Sequence, residues 1–217
     1  MMIQAFIFDL DGVVVDTAKY HYLAWKELAG ELGFDFPEAE GERLKGVSRM
    51  DSLEIVLESG RITGLTAEEK KRLADRKNKS YLTYINRLDE REILPGILKF
   101  LKKIRAEGYK TALGSASKSG GMILQKLGIA DLFDVIVDGL SIVKAKPDPE
   151  VFLTAAAKLG ADPGNCIVIE DAQAGVLAAQ NGGMHCIGIG SEEIHKGADV
   201  VLEHTGLLPN VNYRALF

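Results

Sequence analysis

The chain is short of the groups that bind soft metals and staple small folds. It has two cysteines and four histidines in 217 residues. Two cysteines exclude a disulfide framework. Cys166 and Cys186 each sit in a strand-like apolar run, "NCIVIED" and "MHCIGIG", and read as buried thiols of a reducing compartment. No run reaches the ~18 consecutive apolar residues of a membrane span. No cationic, apolar leader is expected at the start, because Asp9 interrupts the first apolar run. Positive charge is also scarce: 26 Lys and Arg against 31 Asp and Glu leave a net charge of −5. Such a surface is a poor partner for nucleic acid or anionic membrane, so any bound anion must be met by local cations and backbone amides. Internal repeats and low-complexity tracts are absent. The expectation is a soluble, cytoplasmic monomer with neither nucleic-acid nor membrane partners.

What the chain does have is apolar runs that end in charge. With 47% hydrophobic and 26% charged residues, it is long enough for one substantial core, or a core with an inserted subdomain. Five runs read as strands: "IQAFIFD", "YKTALGS", "FDVIVDG", "NCIVIED" and "MHCIGIG", with "ADVVLEH" as a sixth at an edge. Most are apolar almost throughout, which suits strands covered on both faces. From residue 93 they alternate with helical patterns. "PGILKFLKKIRAEG" sets Ile97, Leu98, Leu101 and Ile104 on one stripe, with Pro95 near its start and Gly108 past its end. Repeated β-α units predict an α/β fold, a doubly wound parallel sheet with right-handed crossovers.

Residues 17–92 break that rhythm. "TAKYHYLAWKELAGELG" places Ala24, Trp25, Leu28, Ala29 and Leu32 on one helical face. "TAEEKKRLADRKNKSYLTYINRL" reads as a second helix, with Thr66 and Glu69 forming a capping box. The expected organisation is a core domain of residues 1–16 and 93–217, with an inserted helical cap over 17–92.

In an open parallel sheet, ligands bind beyond the carboxyl ends of the strands. The first strand ends in Asp9, with Asp11 two residues on, and the second in Ser115. After the third comes Lys146, just before a proline-led helix, and the fourth ends in Glu170 and Asp171. Each has an ordinary explanation when taken alone. "DLDG" suits a solvated turn, Lys146 a surface position, Ser115 a helix cap, and "EDAQAG" a helix N-terminus. Their joint placement at four strand ends points to one shared site. Crowded carboxylates raise one another's pKa unless a cation intervenes, and an oxygen-rich set favours a hard ion, Mg²⁺ above all. One N-terminal acid then remains free for proton transfer. This inventory fits phosphoryl transfer through a carboxylate nucleophile.

The ordered set "DLDGVVVDT", "GSASK", "KPDP" and "EDAQAG" resembles the four motifs of the haloacid dehalogenase superfamily of phosphotransferases, across essentially the whole chain. The resemblance implies that superfamily's Rossmann-like core with a helical cap. The cap segments "TAKYHYLAWKELAGELG", "LKGVSRMDSL" and "RKNKSY" resemble those of its hexose-phosphate mutases. These interconvert β-D-glucose 1-phosphate and D-glucose 6-phosphate through a bound β-glucose 1,6-bisphosphate. The resemblance implies Asp9 as the nucleophile that becomes phosphoaspartate. It implies Asp11 as general acid and base, its backbone carbonyl also on the metal. Asp9, Asp11, Glu170 and Asp171 are the implied metal positions. Ser115, Ala116 and Lys146 would cradle the transferring phosphoryl group, and Thr17 and His21 form a hinge pair tied to Asp11. Lys45, Gly46, Val47, Ser48, Arg49, Ser52 and Lys77 would receive the sugar phosphate, with Ser117 and Lys118 near its second phosphate. Ser119 departs from the pattern, where asparagine is expected. A hydroxyl cannot reproduce an amide's two donors.

Two phosphates on one intermediate require a second anion site. Arg49 offers a planar fork for it and Lys45 a point charge. Read without the resemblance, both are solvated charges, His21 is a packed histidine beside Trp25, and Lys77 is a surface lysine. Two other classes stay open. A capped sugar-phosphate phosphatase shares all four core motifs. A receiver-like phosphoacceptor also uses an acidic strand end and a lysine, but has no long cap.

Overall fold

The computed structural model describes residues 2–44, 48–193 and 195–216. It divides into two compact units, Met1–Asp16 with Leu88–Phe217, and Thr17–Arg87. Residues 88–92, expected with the helical insertion, group with the sheet-bearing unit. The reason is local: Leu88 is buried, Val15 bridges Ile93, and the Leu94 amide donates to the Val14 carbonyl at 2.9 Å. The returning chain is thereby tied to the segment that follows β1 of the sheet, at Val14 and Val15.

The sheet-bearing unit holds six parallel strands: β1 (Ala5–Phe8), β2 (Lys110–Gly114), β3 (Val135–Val137), β4 (Cys166–Glu170), β5 (His185–Ile189) and β6 (Val200–Leu202). Their order is β3-β2-β1-β4-β5-β6, so the sequence "ADVVLEH" forms an edge, as its composition predicts. Alternation in β1 serves two cores. Ala5 and Ile7 join an aliphatic cluster with Val137, Phe152, Val168, Val176 and Cys186. Phe6 and Phe8 face the other way, where Phe6 meets Phe100 and Tyr213 edge-on at 5.5 and 5.1 Å. Burial of both faces explains why β1, "AFIF", has no polar residue. Four helices cover the sheet: α5 (Ile97–Ala106), α6 (Gly120–Lys126), α7 (Glu150–Leu159) and α8 (Gln173–Asn181). Ile97, Leu101 and Ile104 form the buried stripe of α5, as their spacing predicts, together with Phe100.

The helical unit contains α1 (Ala18–Glu31), α2 (Glu38–Gly41), α3 (Arg49–Ser59) and α4 (Ala67–Ile85). Trp25, Leu28 and Ala29 of α1 pack with Leu53, Val56 and Leu57 of α3 and with Ala74 of α4. The capping box at α4 is present in both directions: Thr66 Oγ1 accepts from the Glu69 amide and the Glu69 carboxylate accepts from the Thr66 amide. No helix among the described residues is long and apolar enough to cross a membrane.

Candidate active site

The strand order reverses between β1 and β4, where neighbouring strands lead their connections to opposite sides of the sheet. A crevice at the carboxyl end of such a switch point is where ligands bind in this architecture. The register pairs Phe8 with Ile169, so the next residue on one side is Asp9 and on the other Glu170. The Asp9 amide donates to the Ile169 carbonyl at 2.9 Å, which locks the aspartate to β4 as well as β1. Beyond it the chain turns tightly through Gly12, whose φ is 74°.

Lys146 brings these elements together. Its Nζ lies 2.5 Å from Asp9 Oδ1 and 2.6 Å from Glu170 Oε1. Its stem crosses the ring of Phe152, the ammonium standing 4.7 Å from the ring centre. Burial alone would lower the lysine pKa, but Asp9 and Glu170 raise it and keep the ammonium charged. Asp9 is raised well above the usual carboxylate range, by burial first, with Glu170 and Asp11 adding and Lys146 opposing. Burial, then Glu170 and Asp11, push Asp171 up to about 7. One lysine therefore does not balance the acids around it.

That imbalance bears on a metal. Asp9, Glu170 and Asp171 each present a carboxylate oxygen, and these oxygens lie within 4.8 Å of one another. An all-carboxylate donor set in a buried, acid-rich position suits a hard divalent cation, so these residues fit the group. The Asp11 carboxylate is not among them.

Ser115 follows β2 and is buried. Its Oγ accepts from the Ser117 amide at 3.1 Å, and Ser117 Oγ accepts from the Ser119 amide at 3.3 Å. These two turns hold the loop in shape and leave the Ser115 hydroxyl hydrogen available to a ligand. Ala116 and Lys118 are exposed and Ser117 half-buried. Ser119 occupies the N-cap position of α6 without a side-chain cap bond.

In the helical unit, Lys77 is 2% exposed. Its Nζ lies 2.7 Å from His21 Nδ1, and 4.7 and 5.1 Å from the ring centres of Trp25 and Tyr81. When Lys77 is charged it must donate here, which places the ring hydrogen of His21 on Nε2. Burial, then Lys77 and Arg49, lower His21 to about 3, which keeps the imidazole neutral. Burial, then Arg49, lower Lys77 to about 7. Reading Lys77 as a surface lysine is thus corrected: its stem is buried among aromatic rings. Ser52 is buried, and Ser48 caps α3 by accepting from the Asp51 amide at 3.2 Å. Arg49 is exposed and reaches Asp75 only at 4.0 Å. Thr17 is buried at the N-cap of α1. Lys45, Gly46 and Val47 lie outside the described residues.

The sequence reading missed the glycines that touch this site. A Cβ on Gly12 would fall 1.8 Å from Asp171 Oδ2, and one on Gly175 would fall 1.7 Å from Glu170 Oε1. The available signal was their place inside "DLDG" and "EDAQAG", which motif reading credited to the acids alone.

Residues 3–183 match the family model described as haloacid dehalogenase-like hydrolase. A β-phosphoglucomutase of Bacillus subtilis is 45% identical over 203 residues, covering 93% of this chain and 90% of that one. A phosphorylated carbohydrates phosphatase of Thermotoga maritima is 29% identical, covering 85% of this chain and 83% of the relative. Among solved structures, a β-phosphoglucomutase from Clostridium difficile superposes with a TM-score of 0.85 at 42% identity, covering 99% and 96% of the two chains.

Proposed function

Because the chain belongs to the haloacid dehalogenase-like hydrolase family, we propose that its strand-end cluster is the centre of a phosphomutase. The enzyme interconverts β-D-glucose 1-phosphate and D-glucose 6-phosphate. The observation that carries this reading is Lys146 bonded to both Asp9 and Glu170 in an otherwise acidic pocket, in a chain 45% identical to a β-phosphoglucomutase.

In this proposal Asp9 is the nucleophile. Its carboxylate attacks phosphorus and becomes an aspartyl phosphate. Rigid attachment to two central strands keeps it on the line of attack. From the aspartyl phosphate, Asp11 takes the proton of the 6-hydroxyl of β-glucose 1-phosphate as that oxygen attacks phosphorus, which frees the Asp9 carboxylate and gives β-glucose 1,6-bisphosphate. Once the bisphosphate has exchanged ends, Asp9 attacks the 1-phosphoryl group and Asp11 returns its proton to the departing sugar oxygen. Lys146 and the Ser115 hydroxyl meet the charge on the transferring group, with Ala116, Ser117 and Lys118 extending that loop. Asp9, Glu170, Asp171 and the Asp11 backbone would hold Mg²⁺, which would supply positive charge against the phosphoryl oxygens. On the helical unit, Arg49, Lys77, Ser48 and Ser52 engage the sugar phosphate, and His21 orients Lys77. Thr17 and His21 serve the hinge. Two buried free thiols, Cys166 and Cys186, support a reducing, cytoplasmic setting.

The test is a chemical map. After exposure to acetyl phosphate and Mg²⁺, mass spectrometry should find phosphate on Asp9. EDTA should prevent this and added Mg²⁺ restore it. Phosphate on another residue, or full labelling in metal-free protein, would overturn the assignment.

A further inference from the structure

Glu170 and Asp171 are consecutive, and neighbouring residues at a strand end ordinarily point apart. Here the two carboxylates share one cluster with Asp9. The Glu170 side chain manages this by curling over the start of α8. Its Oε2 accepts from the Ala172 amide at 2.8 Å, while Oε1 accepts from Lys146 at 2.6 Å. Gly175 is the residue beneath it. A Cβ there would lie 1.7 Å from Oε1 and 1.9 Å from Cδ, far inside van der Waals contact.

No backbone requirement at position 175 calls for glycine. It is buried in α8, where glycine costs up to ~1 kcal/mol relative to alanine. Its backbone is not among the glycines with positive φ, so alanine meets no dihedral penalty. Gly12 differs: its Cβ would strike Asp171, but its φ of 74° also demands glycine. At 175 space is in question, and the three atoms nearest an added Cβ all belong to the Glu170 side chain.

We propose that Gly175 is a positioning residue for Glu170: its missing Cβ is the slot that sets this carboxylate in the metal cluster and against Lys146. The inference rests on reading Asp9, Glu170 and Asp171 as a divalent-cation site. A methyl group at 175 forces Glu170 to release either the Ala172 amide or Lys146, and moves its oxygen away from those of Asp9 and Asp171. The consequence is weaker metal binding without loss of the fold.

The experiment is calorimetric titration of the intact protein with Mg²⁺ alone, beside thermal melts. Gly175→Ala should still unfold cooperatively and should bind Mg²⁺ about tenfold more weakly or worse, the range for a disturbed supporting contact. Gly30→Ala, in α1 with nothing within 4 Å of the added Cβ, should bind as wild type does. Gly175→Ala within about tenfold of wild type overturns the slot while leaving the metal site standing. Wild type that binds no Mg²⁺ overturns the metal reading and the slot with it. If Gly175→Ala does not fold, the double variant Glu170→Ala, Gly175→Ala decides. Folding of the double variant identifies Glu170 as the clashing group and supports the slot. Failure of both assigns Gly175 to helix packing and overturns it.

Discussion

The two units concentrate charge of opposite sign, and each concentration is unfavourable by itself. At the end of β1 and β4, burial and neighbouring acids raise Asp9 and Asp171. Beside α1 and α4, burial and neighbouring cations lower Lys77 and His21. Groups shifted by burial and like charge in this way are candidates for a functional site. The contrast teaches how the labour is divided. The acidic site calls for a cation and an electrophilic phosphorus, and the basic site for an anion. The proposed mutase reaction supplies an answer to each demand, whereas hydrolysis of a phosphate monoester needs only the first.

The comparison breaks most completely at Asp9. Asp9→Asn should abolish turnover and aspartyl phosphate formation while leaving the helical unit's chemistry untouched, since an amide does not attack phosphorus as a carboxylate does. Residual turnover with phosphate on another residue would remove Asp9 from its role. Next comes Asp11→Asn. Loss of general acid and base help should slow transfer to and from sugar hydroxyls by on the order of 10²–10⁴-fold. Mg²⁺ binding should persist, because the backbone oxygen remains. Stopped-flow rates near wild type would contradict this.

Arg49→Ala sharpens the contrast from the other unit. Losing a charged hydrogen-bond partner costs ~1.5–3 kcal/mol, so mutase kcat/KM should fall at least about tenfold. Phosphorylation of Asp9 by acetyl phosphate, which carries no distal phosphate, should be spared. Equal losses in both reactions would make Arg49 a residue of the fold alone.

The last test stays within the helical unit and reads a pH slope. The folded-state pKa of Lys77 is pulled from 10.5 to about 7. Between those values the unfolded chain binds a proton that the folded chain does not, so stability should rise with pH through that window. Below pH 7 the penalty is fully present, on the order of a few kcal/mol. Lys77→Met should flatten the rise in urea-melt midpoints between pH 7 and about 10. An unchanged slope would show that Lys77 does not carry it.

Much of this arrangement was legible in the chain because the chemistry sits at strand ends, and strands announce themselves as apolar runs. Asp9, Ser115, Lys146, Glu170 and Asp171 were found by asking where each run stops. The two-sided burial of β1 was equally plain from "AFIF". Other features were opaque for physical reasons. The burial of Lys77 depends on Trp25 and His21 arriving from a distant helix, and a lysine in a charged helix gives no sign of that. Helix α3 was overlooked although Leu53, Val56 and Leu57 are spaced for one face and Ser48 caps it, because attention to its motif displaced attention to its period. The role of Gly175 is invisible in one dimension, since what it accommodates is a side chain folded back from five residues earlier.

The central claim is that this site moves a phosphoryl group between two ends of one sugar. Phosphorus-31 NMR of β-glucose 1-phosphate with enzyme, Mg²⁺ and a trace of bisphosphate primer tests it directly. The account predicts that the glucose 1-phosphate resonance is replaced by that of glucose 6-phosphate, with inorganic phosphate only a minor product. Conversion to inorganic phosphate and glucose, with no glucose 6-phosphate even when primed, would contradict it and make the enzyme a phosphatase.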